Sequence, residues 1–270
     1  MTLSVFTFNL NNPSRVRAER QFRYLCGRPE PVLVLTETAR SAGCEFLAEA
    51  FQGAGYHVTF PRPVYGTRER GVMVVSRLPA LPLTLSVEYL PHRVAGVSVE
   101  TGAGPLEVIG VYVPSRDATA AKVTRKRMFL DGLAAALPSG STGQRLVIGD
   151  LNILEPDHVP KYRTFRPWEY GFYTGLGEAG YRDAFRLVAP DTLDYSWVGR
   201  TGDGYRYDHA HVSGPLADRV EGCQYVHEPR TDEDRLTDHS ALTVALDLEP
   251  VARLTVTDVD RMPDLVGALF

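Results

Sequence analysis

Apolar and polar positions alternate along residues 3–9, from Leu3 to Asn9, at the period of a strand. Arg15 to Cys26 follows helical spacing and stops at Gly27 and Pro29. Val32-Leu33-Val34-Leu35 is a continuous apolar run, as in a strand covered on both faces. A second helix is expected from Cys44 to Gln52, closed by Gly53. Val58–Phe60, Gly71–Ser76, Arg93–Val99 and Leu106–Val113 read as strands. Lys122 to Leu137 carries the clearest helical pattern: Val123, Met128, Phe129, Leu130, Leu133 and Leu137 recur near helical spacing before Pro138. Further on, Arg145–Ile148 is a strand and Phe172–Ala179 a short helix, with strands at 195–198, 207–212, 220–226 and 240–247. Strands paired with helices, then more strands, predict an α/β fold of two sheets packed face to face with helices outside.

The chain has no internal sequence repeat and no low-complexity linker, so one domain over residues 1–250 is expected. Residues 251–270, with the alternating Leu254-Thr255-Val256-Thr257, read as a short C-terminal extension of no assigned role. At 270 residues, 44% hydrophobic and 23% charged, the composition is that of a globular protein with a sizeable core. The net charge of −4 gives no global basic signature of a nucleic-acid binder, although a local basic strip can coexist with it. All but three of the 29 basic residues are arginine, which suits bidentate phosphate contacts. The three cysteines, Cys26, Cys44 and Cys223, are widely spaced and read as reduced thiols, implying a cytoplasmic setting. There is no signal-peptide pattern and no apolar run long enough to span a bilayer, and a monomer is expected.

Chemistry-bearing residues follow apolar runs, where strands end. Val147-Ile148 leads into Gly149-Asp150-Leu151-Asn152, and Thr237-Asp238-His239 stands before the final strand. Asn9, Asn11 and Glu37 end the first two strands. A carboxylate, an amide and an Asp-backed His on neighbouring strand ends suit metal-assisted attack of water on a phosphate ester. Each piece also has an ordinary structural use. Gly-Asp-x-Asn is good turn chemistry, and Glu37 suits a helix N-terminus. Adjacent residues do not share a strand face, so the acid backing His239 is expected from elsewhere, with Asp208 the candidate. His209 and His211 alternate on one strand face, where two imidazoles serve either as metal ligands or as hydrogen-bonded groups of a core or cleft.

Taken together the motifs resemble those of the endonuclease/exonuclease/phosphatase superfamily, and within it the exonuclease III-like abasic-site endonucleases. Phe8-Asn9-Leu10-Asn11 resembles the Asn-bearing first strand, and Leu35-Thr36-Glu37-Thr38 the LQET-like Glu. Gly71–Arg77 resembles the GVxxxSR-like strand, and Tyr112-Val113-Pro114-Ser115 the YxPN-like Tyr. Gly149–Asn152 is the GDxN, Arg206–Ser213 the RxDxxxxS strand and Thr237-Asp238-His239 the terminal SDH. These seven motifs stand in family order over about residues 3–247. The resemblance implies a four-layer α/β sandwich of the deoxyribonuclease I-like kind, with two packed mixed β-sheets flanked by helices.

It implies Glu37 as main ligand of Mg²⁺ (or Mn²⁺), with Asn9, Asn11 and Asp238 near the metal. Asp150 would orient or deprotonate the attacking water, and Asn152 would hold the phosphate or help orient Asp150. Tyr112 would contact the phosphate or the leaving group. His239 would face a phosphoryl oxygen, backed by Asp208. The motifs depart from the family at Thr36, Ser115 and Thr237, each of which keeps a hydrogen-bonding group. Trp197, Tyr205 and Tyr207 are candidates for a substrate pocket, and Arg116 and Arg166 for phosphate contacts. The expected activity is a Mg²⁺-dependent phosphodiesterase on DNA, as an abasic-site endonuclease or 3′ exonuclease. A phosphatase or phosphodiesterase on a nucleotide or other small phosphate ester is the alternative.

Overall fold

The computed structural model describes residues 2–257. The chain begins with β1 (Leu3–Asn9), α1 (Arg15–Cys26), β2 (Val32–Thr38), α2 (Ala42–Gly53), β3 (His57–Thr59) and β4 (Gly71–Ser76). Ser14 and Ser41 cap α1 and α2, each accepting a backbone N–H of the first turn. Next come β5 (Ala80–Leu83), β6 (Val94–Thr101), β7 (Gly104–Tyr112), α3 (Ala120–Ala136), β8 (Gln144–Asp150), α4 (Pro167–Glu178), β9 (Tyr181–Asp183) and α5 (Ala184–Val188). The final stretch is β10 (Trp197–Val198), β11 (Gly204–Tyr205), β12 (Asp208–Ser213), α6 (Gly214–Ala217), β13 (Val220–Val226), α7 (Glu228–Thr231) and β14 (Ala241–Leu246).

One sheet runs β13-β14-β1-β2-β4-β3 and the other β5-β6-β7-β8-β12-β9, both mixed. At the centre of each sheet lies a parallel pair joined by a helical crossover. These pairs are β1–β2 through α1 and β7–β8 through α3. Strand alternation divides the apolar residues into three layers. Leu3, Val5, Val32, Val34, Val72 and Val74 face Val97, Val108, Leu146, Ile148 and Ala210 between the sheets. Phe6, Phe8, Leu33, Leu35, Met73 and Val75 pack outward under α1 and α2. Ile109, Val111 and Val147 pack outward under α3 and α4, against Phe129, Leu130, Leu133 and Leu176. The order is therefore α/β/β/α. The sheets approach so closely at Gly110 that a Cβ there would lie 2.7 Å from Val34 Cγ1 and 2.9 Å from Val72 Cγ1.

The long strands and helices stand where the periodicity puts them, within a few residues. The helix expected from Phe172 begins earlier, at Pro167, whose fixed φ suits the first helical position. Glu169 then closes the first turn by accepting the Arg166 N–H at 2.9 Å. Three glycines in α4 hide its apolar period. After β14 the chain crosses the ends of both sheets: Val251 N–H donates to Glu100 O at 3.0 Å, Leu254 N–H to Arg77 O at 2.7 Å and Thr257 N–H to Ala54 O at 2.9 Å. The rest of the expected extension lies outside the described residues. Among the described residues no helix is long and apolar enough to cross a membrane.

Candidate active site

At one end of the sandwich the inward faces turn from apolar to polar. Along β1 the inward series Leu3, Val5 ends in Thr7 and Asn9; along β8, Leu146 and Ile148 end in Asp150. The register then places the polar ends side by side. Asn9 is the Cα partner of Thr36, Tyr112 of Asp150, and Asp150 of Asp208. The parallel pairs contribute their C-terminal ends, and antiparallel β12 its first residue, so the groups converge at one mouth.

Gly149 lets the motif fit. Its φ is +144°, and a Cβ there would collide with Val111 O of the neighbouring strand. Beyond it the chain bends through Asn152 at φ +47°. Glu37 has φ +53° and sits in an irregularity of the β2–β4 ladder between Thr36 and Thr38, which turns its side chain out of the strand alternation. Asn11 and Asn12 also have positive φ, at +50° and +40°.

Three connected groups result. Asp150 accepts Asn9 Nδ2–H at 3.1 Å on one oxygen and the Asn152 N–H at 2.9 Å on the other. Asn152 Nδ2 donates to Val113 O at 3.0 Å, fixing the turn. The Tyr112 hydroxyl donates to Glu37 Oε1 at 3.0 Å. His239 Nδ1 donates to Asp208 Oδ2 at 2.7 Å, so the acid backing His239 does come from β12. Asp238 is held by Asn11 Nδ2–H at 2.9 Å and by Trp197 Nε1–H at 3.4 Å. Asn9 Oδ1 accepts the Asn11 N–H at 2.8 Å, which engages both ends of the Asn9 amide.

Asn9, Tyr112, Asp150, Asp208 and His239 are buried, while Asn11, Glu37, Asn152 and Asp238 are half-exposed around them. Burial raises the Asp150 carboxyl well above the usual carboxylate range, and nearby Asp208 adds to this. Burial disfavours a charge on His239, but the Asp208 carboxylate overrides it and lifts the ring to about 10, so it is an imidazolium at neutral pH. Tyr112 is pushed far up by burial and by Glu37, and remains a phenol that donates to that carboxylate.

The rim is aromatic. The Tyr207 and Tyr205 rings stack at 5.1 Å, Trp197 lies 5.4 Å from Tyr205, and Tyr207 is 6.5 Å from His239. Trp197 is bridged to His239 along the backbone, so the aromatic hairpin is attached to the segment that carries His239. The two arginines do not join this network. Arg116 pairs with Glu169, as does Lys126 at 2.7 Å, and Arg166 stands exposed at the start of α4.

Three participants carried no sequence signal. The Arg93 guanidinium covers the Tyr112 ring at 4.7 Å and donates to Tyr112 O at 3.3 Å. Ser196, fully buried, accepts the N–H groups of Tyr207 at 3.0 Å and Asp208 at 3.1 Å. Asn12 donates its N–H to Glu37 O at 3.1 Å and accepts Ser41 Oγ–H at 2.8 Å, tying the first loop to Glu37 and α2.

The donors at the mouth are carboxylate and amide oxygens, the set a hard divalent cation takes. Among the described residues no three acidic or histidine groups crowd together there, which fits an ion held by one or two carboxylates with phosphate and water completing its shell.

Residues 6–239 match the model of the Endonuclease/Exonuclease/phosphatase family. The chain belongs to this family. It is an enzyme that hydrolyses phosphoester bonds. The 3′-5′ exonuclease NExo from Neisseria meningitidis superposes with a TM-score of 0.75 at 25% identity, over 91% of this chain and 100% of that one. An AP endonuclease from Archaeoglobus fulgidus gives 0.75 at 24%, over 91% and 99%. The 3′ phosphatase NExo from Neisseria, bound to product DNA hairpin, gives 0.74 at 24%, again over 91% and 99%. No curated protein matches the sequence.

Proposed function

We propose that the chain is a Mg²⁺-dependent hydrolase of phosphate esters in DNA, acting at 3′ termini or at abasic sites. The observation that carries this is the Asp208–His239 pair set beside Asp150 and the Glu37–Tyr112 pair at a single mouth. The similar solved structures are named as a 3′-5′ exonuclease, a 3′ phosphatase bound to product DNA hairpin and an AP endonuclease, which supports DNA over other esters.

In this reading Glu37 and Asp238 hold the cation, with Asn11 beside them. Once bound, the ion supplies charge neutralisation on the phosphate and orients it. Asn9 and the Asn152 backbone N–H fix the Asp150 carboxylate, whose free lone pair takes the proton of the attacking water. The Asn152 side chain holds the turn. The His239 imidazolium faces the phosphoryl oxygen on which charge accumulates, and Asp208 keeps that ring charged and oriented. The Tyr112 hydroxyl stands beside Glu37 to contact the phosphate or leaving oxygen. Trp197, Tyr205 and Tyr207 form the wall for the sugar or base at the cleaved bond.

A second reading has its own support. Of the two arginines expected at phosphates, Arg166 stands exposed, but Arg116 is already paired with Glu169, and near it Lys126 pairs with Glu169, Arg125 with Glu69 and Lys122 with Asp117. That favours a nucleotide or other small phosphate ester, which needs no extended phosphate track. One experiment separates the readings: labelled duplexes carrying an abasic-site analogue, a 3′-phosphate or neither, with Mg²⁺, Mn²⁺ or chelator. Metal-dependent incision or 3′-phosphate release supports DNA; inactivity on all three duplexes with turnover of nucleotides or sugar phosphates supports the small ester.

A further inference from the structure

We infer that Asp183, His209 and His211 form a buried zinc site on the face of β12 opposite the catalytic groups. Asp208, Ala210 and Val212 point between the sheets, so His209 and His211 point outward, toward Tyr173 of α4 at ring distances of 5.7 and 5.1 Å. Asp183, on the neighbouring strand β9, is the Cα partner of His211. One ligand atom from each of the three residues lies within 4.8 Å of the others. Their exposures are 8%, 0% and 2% for Asp183, His209 and His211.

The arrangement asks for a cation. His209 Nε2 lies 3.1 Å from Ile153 O, which can only accept, so Nε2 carries the hydrogen. In the neutral ring this leaves Nδ1 as a bare lone pair. That atom faces Asp183 Oδ2 at 3.7 Å without a hydrogen bond, and His211 Nε2 also has no partner. Two lone pairs and a carboxylate turned toward one another in a dry interior repel unless something positive lies between them. A ring nitrogen donating to a backbone carbonyl while the other is free is the orientation metal-bound histidines adopt.

The carboxylate is also braced. Asp183 Oδ2 accepts from Tyr173 at 2.8 Å and from Arg206 at 2.6 Å, and Oδ1 accepts the Phe185 N–H at 2.9 Å. Glu155 pairs with Arg206 at 2.8 Å and with Arg186 at 2.6 Å, so it offsets the Arg206 charge in part and Asp183 carries the rest. Two imidazoles and one carboxylate are a ligand set that suits Zn²⁺. Closure on all sides gives substrate no access, so the role is structural. The ion joins β9 to β12, and through Ile153 O the loop after Asn152. Those are the supports behind Asp208 and Asp150.

Metal content by mass spectrometry and cobalt spectroscopy test this. Protein purified without chelator is expected to carry about one zinc per chain, and Co²⁺ added to stripped protein to give visible tetrahedral d–d absorption. His209→Gln and His211→Gln are each expected to lose the zinc and the cobalt band, whereas Glu37→Gln, at the catalytic mouth, keeps both. Should the histidine variants fail to fold, the wild type decides: returning Zn²⁺ to stripped protein raises its melting temperature by several degrees. Zinc-free protein whose melting is unchanged by Zn²⁺, or zinc retained in both histidine variants, overturns the assignment.

Discussion

Asp208→Asn isolates charge from shape at the Asp208–His239 pair. The amide is isosteric, and its oxygen can still accept from His239 Nδ1 where the carboxylate accepts at 2.7 Å. What disappears is the negative charge that holds the buried ring as an imidazolium. In the native chain that ring is lifted from 6.5 to about 10 against the effect of burial. A shift of that size corresponds to about 5 kcal/mol in favour of the charged ring. With Asn at 208, burial dominates and His239 is neutral at pH 7. A charge-stabilising donor in a water-poor site contributes about 10²–10³ in kcat, or about 3–4 kcal/mol. The variant is therefore expected to lose about 10²–10³ in kcat, with KM changed by less than about threefold, because the substrate wall and the Glu37 side of the mouth are untouched. Steady-state release of phosphate from a 3′-phosphorylated duplex under saturating Mg²⁺ measures both constants, and a melting curve checks the fold. A kcat within about threefold of the native value would refute the role given to the charged ring. A loss confined to KM would instead make His239 a binding group.

Glu37→Gln keeps the shape but removes a charge from the cation site, and Mn²⁺ affinity followed by electron paramagnetic resonance should weaken at least about tenfold. Gly149→Ala places a Cβ against Val111 O at φ +144°. It should cost about 2–4 kcal/mol in urea unfolding, and an unchanged midpoint would count against the close packing of β7 on β8. Glu155 is buried, but its pairing with Arg186 and Arg206 outweighs burial and holds its carboxyl down, from 4.5 to about 2. A lowered folded value means this stabilisation, about 3 kcal/mol, is complete above about pH 4.5 and lost as pH falls toward 2. Glu155→Gln should flatten that acid limb of the stability profile, and an identical limb in the variant would dismiss the pair. Trp197→Ala removes part of the aromatic wall and the Asp238 contact at 3.4 Å. It should raise KM for an abasic duplex by about tenfold while a nucleotide substrate is affected less.

Much of the site was legible because one physical rule generates it. A strand whose inward residues are Leu3 and Val5 must, at the same period, present Thr7 and Asn9 inward, and the same holds for Leu146, Ile148 and Asp150. The reasoning that Asp238 cannot back its own neighbour led to Asp208, which is where His239 Nδ1 points. Contacts that depend on tertiary approach left no such mark. Arg93 reaches Tyr112 across β6 and β7, and Ser196 gathers the N–H groups of Tyr207 and Asp208, eleven and twelve residues away. The arginine contacts expected from Arg116 rest on charge alone, and charge in sequence says nothing of Glu169, which pairs with Arg116 and Lys126 from another helix. Strands as short as β9 and β11 have too few residues to show a period.

Local rules break where the chemistry lies. Of the five described non-glycine residues with positive φ, four are Asn11, Asn12, Glu37 and Asn152, all at the mouth. Three are asparagines, the residue type that tolerates this region best. Glu37 has no such excuse, and a strained carboxylate persists only if its surroundings over-determine it. They do so here. Asn12 N–H holds the Glu37 carbonyl, Tyr112 holds its carboxylate, and Arg93 covers Tyr112 from behind. The apolar part of each sheet supplies the rigidity that holds the polar strand ends at one mouth. A strained acid aimed in advance loses little further freedom when it meets a cation or phosphate, so the geometry of Glu37 is better explained by ligand binding than by folding.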